Sequence, residues 1–557
     1  MSFLFKQKKQ LKTSERNYSL DELQKNIKEM LLEYTEIMIQ YPEMEKELIR
    51  NQEEYGRTIS DCIRNCCSGH YGARDTVLEL IYRLLEEKYI MEQKNIISCI
   101  PFDNPTQMTA RQQLETMIYF FDKQKENRGF ELLCNQFDWN DKEGTISEAK
   151  VRQAYMELEM ELSTEDKRRI IARIVYAETV GLGVIDTLNA QKGYIEEIQI
   201  GMSGRADRQY NYKVALMQKK QEALFCREGV YIMAGGCTIR LSAISFETEE
   251  EVQRVLRNLI KNVGGELTKK NPILVADAPD GRRISVSRPP ATDTWIGLIR
   301  KFDTVREVSL EKLYQGFPEE NVIPALLKQL VRSGRNIAIT GEMASGKTTL
   351  FRACLAEAKK DMNIRVIEAE SFELNVRGFL PKVNSVTMRV TEQTPAEEIL
   401  AFARKTTGQI FAIGEINSAS MATMAMDLSK IASQMFFSAH YITTEHMIAD
   451  FVNAKLCVGG YSEEILAELD VVRCLGFDIH LRVKQGRRYV QCINEVVPKI
   501  KRKPGDRTTY EVRPIYQYDE IKEKGVMVNS PSEVTYDRAR QQLEKEEYLE
   551  FVNFFKI

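Results

Sequence analysis

The stretch GEMASGKTTL, residues 341–350, decides how the rest of the chain is read. Gly341, Gly346, Lys347 and Thr348 fill the pattern G-x-x-x-x-G-K-[ST], a loop whose backbone N–H groups wrap a nucleotide's phosphates when it joins a strand to a helix. The flanks supply that context. Asn336-Ile-Ala-Ile-Thr340 is a short apolar, partly β-branched run that predicts a buried parallel strand. Leu350, Cys354, Leu355 and Ala358 then recur at helical spacing, and no proline falls between 342 and 380, so a helix is expected from Thr348 to Lys360. A glycine-rich surface turn is the alternative, but few such turns meet both the spacing and the strand-loop-helix order. The candidate nucleotide-binding residues are Gly341, Glu342, Met343, Ala344, Ser345, Gly346, Lys347, Thr348 and Thr349.

A phosphate loop binds; hydrolysis also needs a metal anchor and a group that positions water. Gln409-Ile-Phe-Ala-Ile413 reads as a second core strand that runs into Gly414-Glu415, where a carboxylate is placed to hold Mg²⁺ or its water. Ile364-Arg-Val-Ile-Glu368 reads as a third, with Glu368, Glu370 and Glu373 at its far end, one of which would orient the attacking water. Phe436-Phe-Ser-Ala-His440 is a fourth, ending in a histidine. Each acid has a plainer reading as a solvated loop residue, and a lone histidine is usually structural. Strand ends in a doubly wound sheet converge on the ligand crevice, which favours a functional role here.

At 557 residues the chain is too long for one core, and about 150 residues per domain predicts roughly three or four units. A net charge of −3 leaves no global basic field, so no nucleic-acid partner is expected. The one compact basic run, Lys499 to Lys503, sits beside Pro504-Gly505 and reads as a solvated loop. No apolar stretch approaches the roughly 18 to 20 residues that span a bilayer, and the start lacks an apolar signal core, so a cytoplasmic protein is expected. Eleven cysteines without a framework fit reduced thiols. Cys62, Cys66, Cys67 and His70 match no common zinc spacing and read as core packing.

Residues 18 to about 170 read as helical, starting with a Ser19–Glu22 capping box and a stripe of Leu23, Ile27, Met30, Tyr34 and Ile37 that needs a partner, either a helix of this region or another protein. Helices are also expected over Val77–Glu92, Gln112–Gln124 and Glu148–Leu162. From about 170 the texture changes to short alternating runs, Tyr194–Ile200 and Val230–Met233, with a helix at Glu249–Val263. The fold class expected is α/β, with four parts: a helical N-terminal region (1–165), an α+β module (166–302), a RecA-like phosphate-loop domain (303–525) and a peripheral helical tail (526–557). Within the third part, Ile479 to Tyr516 reads as strands turned at Gln485-Gly486 and Pro504-Gly505.

Over roughly 150–520 the chain resembles the secretion-superfamily ATPases of type II and type IV secretion and pilus assembly, and most closely the CpaF-like ATPases of tight-adherence (Flp) pilus systems. The residues that carry this are the phosphate loop together with GLGVIDTLNAQKGYIEEIQIG (181–201), DGRRISVSRPP…IGLIRKF (280–302) and DIHLRVKQGRRYVQCINEVV (478–497), in the family's order. The resemblance implies an ATP-hydrolysing, Mg²⁺-dependent homo-hexamer at the inner face of the plasma membrane, bound there only through an inner-membrane platform protein. It implies that Lys347 contacts the β- and γ-phosphates, Thr348 and Glu415 serve the metal, the Glu368–Glu373 stretch positions water, and His440 is the His-box histidine. Arg283 and Arg300 would be the basic groups brought to the nucleotide by the preceding module, since guanidinium groups stay charged and fork onto phosphate oxygens.

The departures are specific. I-E-A-E-S-F-E-L stands where the family has I-E-D-x-x-E-L, Asn417 stands where an arginine is expected after Glu415, and IASQMFFSAHYI (431–442) keeps the histidine without its glycine-rich surroundings. Losing one transition-state contact slows turnover without abolishing binding. Two other readings therefore stay beside the motor: an ATP-binding subunit with weak or no hydrolysis, and a nucleic-acid motor, which the missing basic field disfavours.

Overall fold

The computed structural model describes residues 18–36, 61–63, 65–66, 71–89, 91–139, 144–202, 229–235, 237–261, 263–302, 309–317, 321–358, 361–369, 373–391, 393–458, 461, 463–484, 487–499 and 508–556. The chain divides into two compact units, Met1–Thr304 and Val305–Ile557, and the whole is mixed α/β.

In the first unit, Leu23, Ile27 and Leu31 of the helix Leu20–Glu36 are buried, and this stripe packs on the helix Thr164–Thr179. The partner the stripe needs is thus a helix of the same region; Ile37 lies outside the described residues. The helix expected at Val77–Glu92 runs Tyr71–Arg83 and continues as a π-helical turn, Leu84–Lys88. The one expected at Glu148–Leu162 stops at Glu157, because Ser163 and Asp166 form a capping box that starts a new helix at Thr164. Cys66 is buried and Cys62 half-buried in this core, while Cys67 and His70 lie outside the described residues. Among the described residues no group of His, Cys, Asp and Glu is placed to hold a metal, and no helix is long and apolar enough to cross a membrane.

Among the described residues seven strands follow: β1 (Thr145–Ile146), β2 (Ile195–Ile200), β3 (Val230–Ala234), β4 (Cys237–Leu241), β5 (Ile273–Asp277), β6 (Arg283–Ser287) and β7 (Ile296–Arg300). They form one sheet in the order β1-β4-β3-β2-β7-β6-β5, antiparallel except for the β1–β4 pair. Val252, Val255, Leu256 and Leu259 of the helix Glu249–Ile260 are buried in the core of the same unit.

Among its described residues the second unit holds nine strands: β8 (Ile337–Gly341), β9 (Ile364–Ala369), β10 (Ser385–Val390), β11 (Ile410–Ile416), β12 (Gln434–Ala439), β13 (Phe477–Lys484), β14 (Arg487–Pro498), β15 (Tyr510–Asp519) and β16 (Lys524–Met527). Their order is β10-β9-β11-β12-β8-β13-β14-β15-β16, with the first six parallel and the hairpin strands after them antiparallel. This is the expected RecA-like arrangement, the phosphate-loop strand lying inside a mostly parallel sheet. Alternate residues of β8 serve the two faces. Ile337 and Ile339 join Leu350, Phe351 and Cys354 of the following helix, while Ala338 joins Phe437, Met424 and Phe451 on the other side. The turns expected at Gln485-Gly486 and Pro504-Gly505 lie outside the described residues.

The C-terminal tail is not peripheral, contrary to expectation. Its helices, Glu533–Gln542 and Lys545–Phe554, send Ala539 and Phe551, with Phe555 just beyond, into the same core as Leu326, Leu327 and Leu330. Glu495 of β14, fully buried, accepts hydrogen bonds from the Ser532 amide (2.7 Å), the Ser532 hydroxyl and the Thr535 hydroxyl (2.6 Å). The apolar anchors are few and set among charges, which hid them in the sequence.

Candidate nucleotide-binding site

Parallel pairing brings the C-terminal ends of β8, β9, β11, β12 and β13 to one edge of the sheet. The loop 342–346 turns there and leads into the helix Lys347–Ala356. Two positions demand glycine. Gly341 has φ +138°, and a Cβ on it would sit 2.3 Å from the Leu481 carbonyl oxygen of its ladder partner on β13. Gly346 has φ +94° and is the residue from which the helix starts. Between them Ala344 is left-handed at φ +60°, although it carries a Cβ. The hairpin β13–β14 grips the loop at two further points. The Val483 amide donates to Glu342 Oε1 (3.2 Å), and Arg488 Nε–H donates to the Ala344 carbonyl (2.9 Å). Ser345 is buried and Met343 is 73% exposed; Thr348 and Thr349 fill the first turn of the helix.

Lys347 is only 8% exposed, and its ammonium is turned back into its own loop. Nζ donates to the carbonyls of Gly341 (3.1 Å) and Glu342 (2.8 Å) and lies 3.2 Å from His440 Nδ1. An ammonium has no acceptor, so Nδ1 accepts and the ring proton sits on Nε2. That nitrogen is 3.1 Å from Glu415 Oε1, which completes a chain from lysine through histidine to carboxylate. Glu415 owes its place to an irregularity in the β11–β12 pairing between Ile413 and Ile416, beside which the Ser438 hydroxyl donates to the Gly414 carbonyl (2.5 Å).

Other predicted residues are placed differently. Glu368 is 2% exposed, and its Oε1 accepts the Leu374 amide (2.7 Å), so this oxygen serves its own loop. Its side chain lies across Gly414, where a Cβ would come within 3.0 Å of its Cγ. Glu373 is half-buried at the end of that segment, and Glu370 lies outside the described residues. Arg283 and Arg300 belong to the first unit, where β6–β7 register sets them opposite each other and each guanidinium is 5.8 Å from the Phe302 ring. Each also faces a carboxylate in register on its other side, Asp277 opposite Arg283 and Glu197 opposite Arg300, so acids flank the two arginines within the sheet.

Sequence reasoning missed a polar cluster beneath the loop. Asp478 and His480 share one face of β13, and His480 pairs with Thr340 in register. The Thr340 hydroxyl donates to Asp478 Oδ1 (2.6 Å) and lies 2.9 Å from His480 Nδ1; the Thr444 hydroxyl donates to Asp478 Oδ2 (2.7 Å). Burial pushes Asp478 above the usual carboxylate range and His480 below the usual imidazole range. Both line a cleft of about 350 Å³ with Cys492 and Tyr518. The signal was present in the alternation Asp478-Ile-His480, but only the pairing with Thr340 gives it meaning.

No protein-family model matches the chain. In sequence it is 29% identical over 207 residues to the uncharacterised protein MJ0900 of Methanocaldococcus jannaschii, covering 35% of this chain and 36% of that protein. It is 32% identical over 189 residues to the type IV secretion system protein VirB11 of Bartonella quintana, covering 28% of this chain and 51% of that protein. The chain thus spans about half, or less, of the length of these curated relatives. Among solved structures, the pilus retraction motor PilT with bound ADP aligns at 14% identity over 65% of this chain and 88% of that one, with a TM-score of 0.36. The Legionella pneumophila ATPase DotB aligns at 10% identity over 64% and 83%, also with a TM-score of 0.36. In sequence, then, this chain is similar over part of its length to VirB11, a type IV secretion system protein.

Proposed function

We propose that this protein is an Mg²⁺-dependent ATPase of a secretion or pilus assembly system, CpaF-like, in which hydrolysis drives domain motion against an inner-membrane platform. The observation that carries the reading is the chain from Lys347 through His440 to Glu415, set on a glycine loop at a helix N-terminus. In this arrangement the lysine's protons are directed at the two loop carbonyls and His440. Triphosphate oxygens would take the place of the carbonyls, and His440 Nδ1 would lose or share its donor, so that phosphate binding is reported directly to Glu415. The Thr348 hydroxyl and the Glu415 carboxylate are hard oxygen donors of the kind Mg²⁺ accepts, and Mg²⁺ completes its shell with water and phosphate rather than a protein cage. When bound, the ion would neutralise charge on the phosphates. We further propose the division of a helical region (1–165) from an α+β module (166–302), the homo-hexamer, a place at the cytoplasmic face of the membrane, and Arg283 and Arg300 as phosphate contacts; similarity to VirB11 supports these.

Two observations favour a second reading in the same system, an ATP-binding subunit with weak or no hydrolysis. Glu368, a leading candidate for positioning water, is buried with one oxygen on the Leu374 amide, and Asn417 stands where the related family has an arginine. Steady-state phosphate release by the purified chain, Lys347→Ala and Glu415→Gln separates the two. The motor reading expects release that both variants abolish. Nucleotide binding without release above background supports the second reading, and equal release by all three proteins removes the first.

A further inference from the structure

We propose that Arg488 is a positioning residue that holds the phosphate loop in its anion-binding shape by fixing Ala344 in the left-handed conformation. The inference rests on the nucleotide-binding reading of the loop. Backbone N–H groups form a concavity for anions where right-handed and left-handed residues alternate. Glycine adopts the left-handed state freely; alanine does so against a steric cost between its Cβ and the following carbonyl. Ala344 sits at φ +60° within a loop whose other left-handed corner, Gly346, is glycine. Something must therefore hold Ala344 in place. Arg488 Nε–H donates to its carbonyl at 2.9 Å, and the same side chain runs on to Gly346, where an added Cβ would meet Arg488 Cδ at 3.2 Å.

The geometry of the neighbouring strands makes this strut stiff. Arg488 belongs to β14, which pairs with β13 through Val483↔Arg488, and the Val483 amide itself binds Glu342 of the loop. The residues at both ends of one cross-strand pair thus contact the loop on either side of Met343. Lysine cannot substitute, because it has no N–H at the Nε position and no planar fork.

The test is a double-substitution cycle on the full chain: wild type, Arg488→Ala, Ala344→Gly, and both together. Affinity for ADP is measured by calorimetry, and hydrogen exchange is measured on the peptide 337–350, with the β9 and β11 peptides as the folding control. Arg488→Ala is expected to weaken ADP binding about tenfold, the scale of one left-handed non-glycine residue, and to speed exchange in 337–350 alone. Ala344→Gly in that background is expected to restore both, since glycine needs no strut. Weakening without rescue overturns the proposal, because Arg488 would then act by touching phosphate itself. An unchanged affinity together with unchanged exchange also overturns it. If wild type binds no ADP, the nucleotide reading fails, and the exchange cycle still decides whether Arg488 holds Ala344.

Discussion

Gly341→Ala tests whether the loop is built on the geometry described. The perturbation adds one methyl at φ +138°, a region reserved for glycine, at a strain of roughly 1–3 kcal/mol. The methyl would also lie 2.3 Å from the Leu481 carbonyl oxygen. That oxygen belongs to the β8–β13 ladder, so moving it loses about one hydrogen bond, or ~1 kcal/mol net. Together these give about 2–4 kcal/mol, concentrated where β8 meets β13. The chain has two compact units, so a single unfolding free energy would mix them. Hydrogen exchange read by peptide avoids this. Peptides covering Ile337–Gly341 and Phe477–Lys484 should exchange roughly 30- to 900-fold faster, converting at 1.36 kcal/mol per factor of ten. Both tryptophans, Trp139 and Trp295, lie in the first unit, and their fluorescence should not change. Exchange within about threefold of wild type in both peptides would refute the steric argument.

Other expectations follow from the same reasoning. Burial alone would raise the Asp166 carboxyl, but hydrogen bonds from Lys123, Ser163 and Tyr119 outweigh it and hold it at about 2. Its folded value is depressed, so its stabilisation is present above pH ~4 and is lost as pH falls through ~2; Asp166→Asn should cost roughly 1.5 kcal/mol at pH 7, below the full ~2.4 because Lys123 is half in water, with a gap that shrinks to about a third by pH 2.5. Urea unfolding followed by tryptophan fluorescence at the two pH values reads it. Glu495→Ala removes the acceptor of three hydrogen bonds and should loosen the tail by about 3 kcal/mol. Limited trypsin digestion should then cut at Arg538 or Arg540 faster than in wild type. Thr340→Val strips one donor from buried Asp478 and one partner from His480, at a cost of roughly 1–3 kcal/mol. Since Asp478 already titrates high, that loss should shrink as pH falls and the carboxyl takes a proton, seen as a smaller Tm difference at pH 5 than at pH 8.

Much of the second unit was legible because buried parallel strands read as unbroken apolar runs. β8, β9, β11 and β12 each announce themselves that way, and the polar residues that end them mark one edge of the sheet. β10 did not: it is an edge strand, half-buried, and Ser385-Val-Thr-Met-Arg-Val390 alternates too weakly to stand out. The candidate site was legible to the level of residue type. That Lys347, His440 and Glu415 form a chain follows from three strand ends meeting, but the sequence could not show that Glu368 turns an oxygen back to the Leu374 amide. Arg488 was one of two adjacent arginines in a hairpin 144 residues from Ala344. Only strand order, which sets β13 and β14 beside β8, gives it a role.

The most direct test of the central claim is the equilibrium affinity of the purified chain for ATP with Mg²⁺, measured by calorimetry beside Lys347→Ala. Measurable binding by wild type, weakened at least tenfold by removing one ammonium from the phosphates, is the result expected. The same affinity in both proteins, or none in wild type, would mean that the loop at 341–348 does not grip a triphosphate.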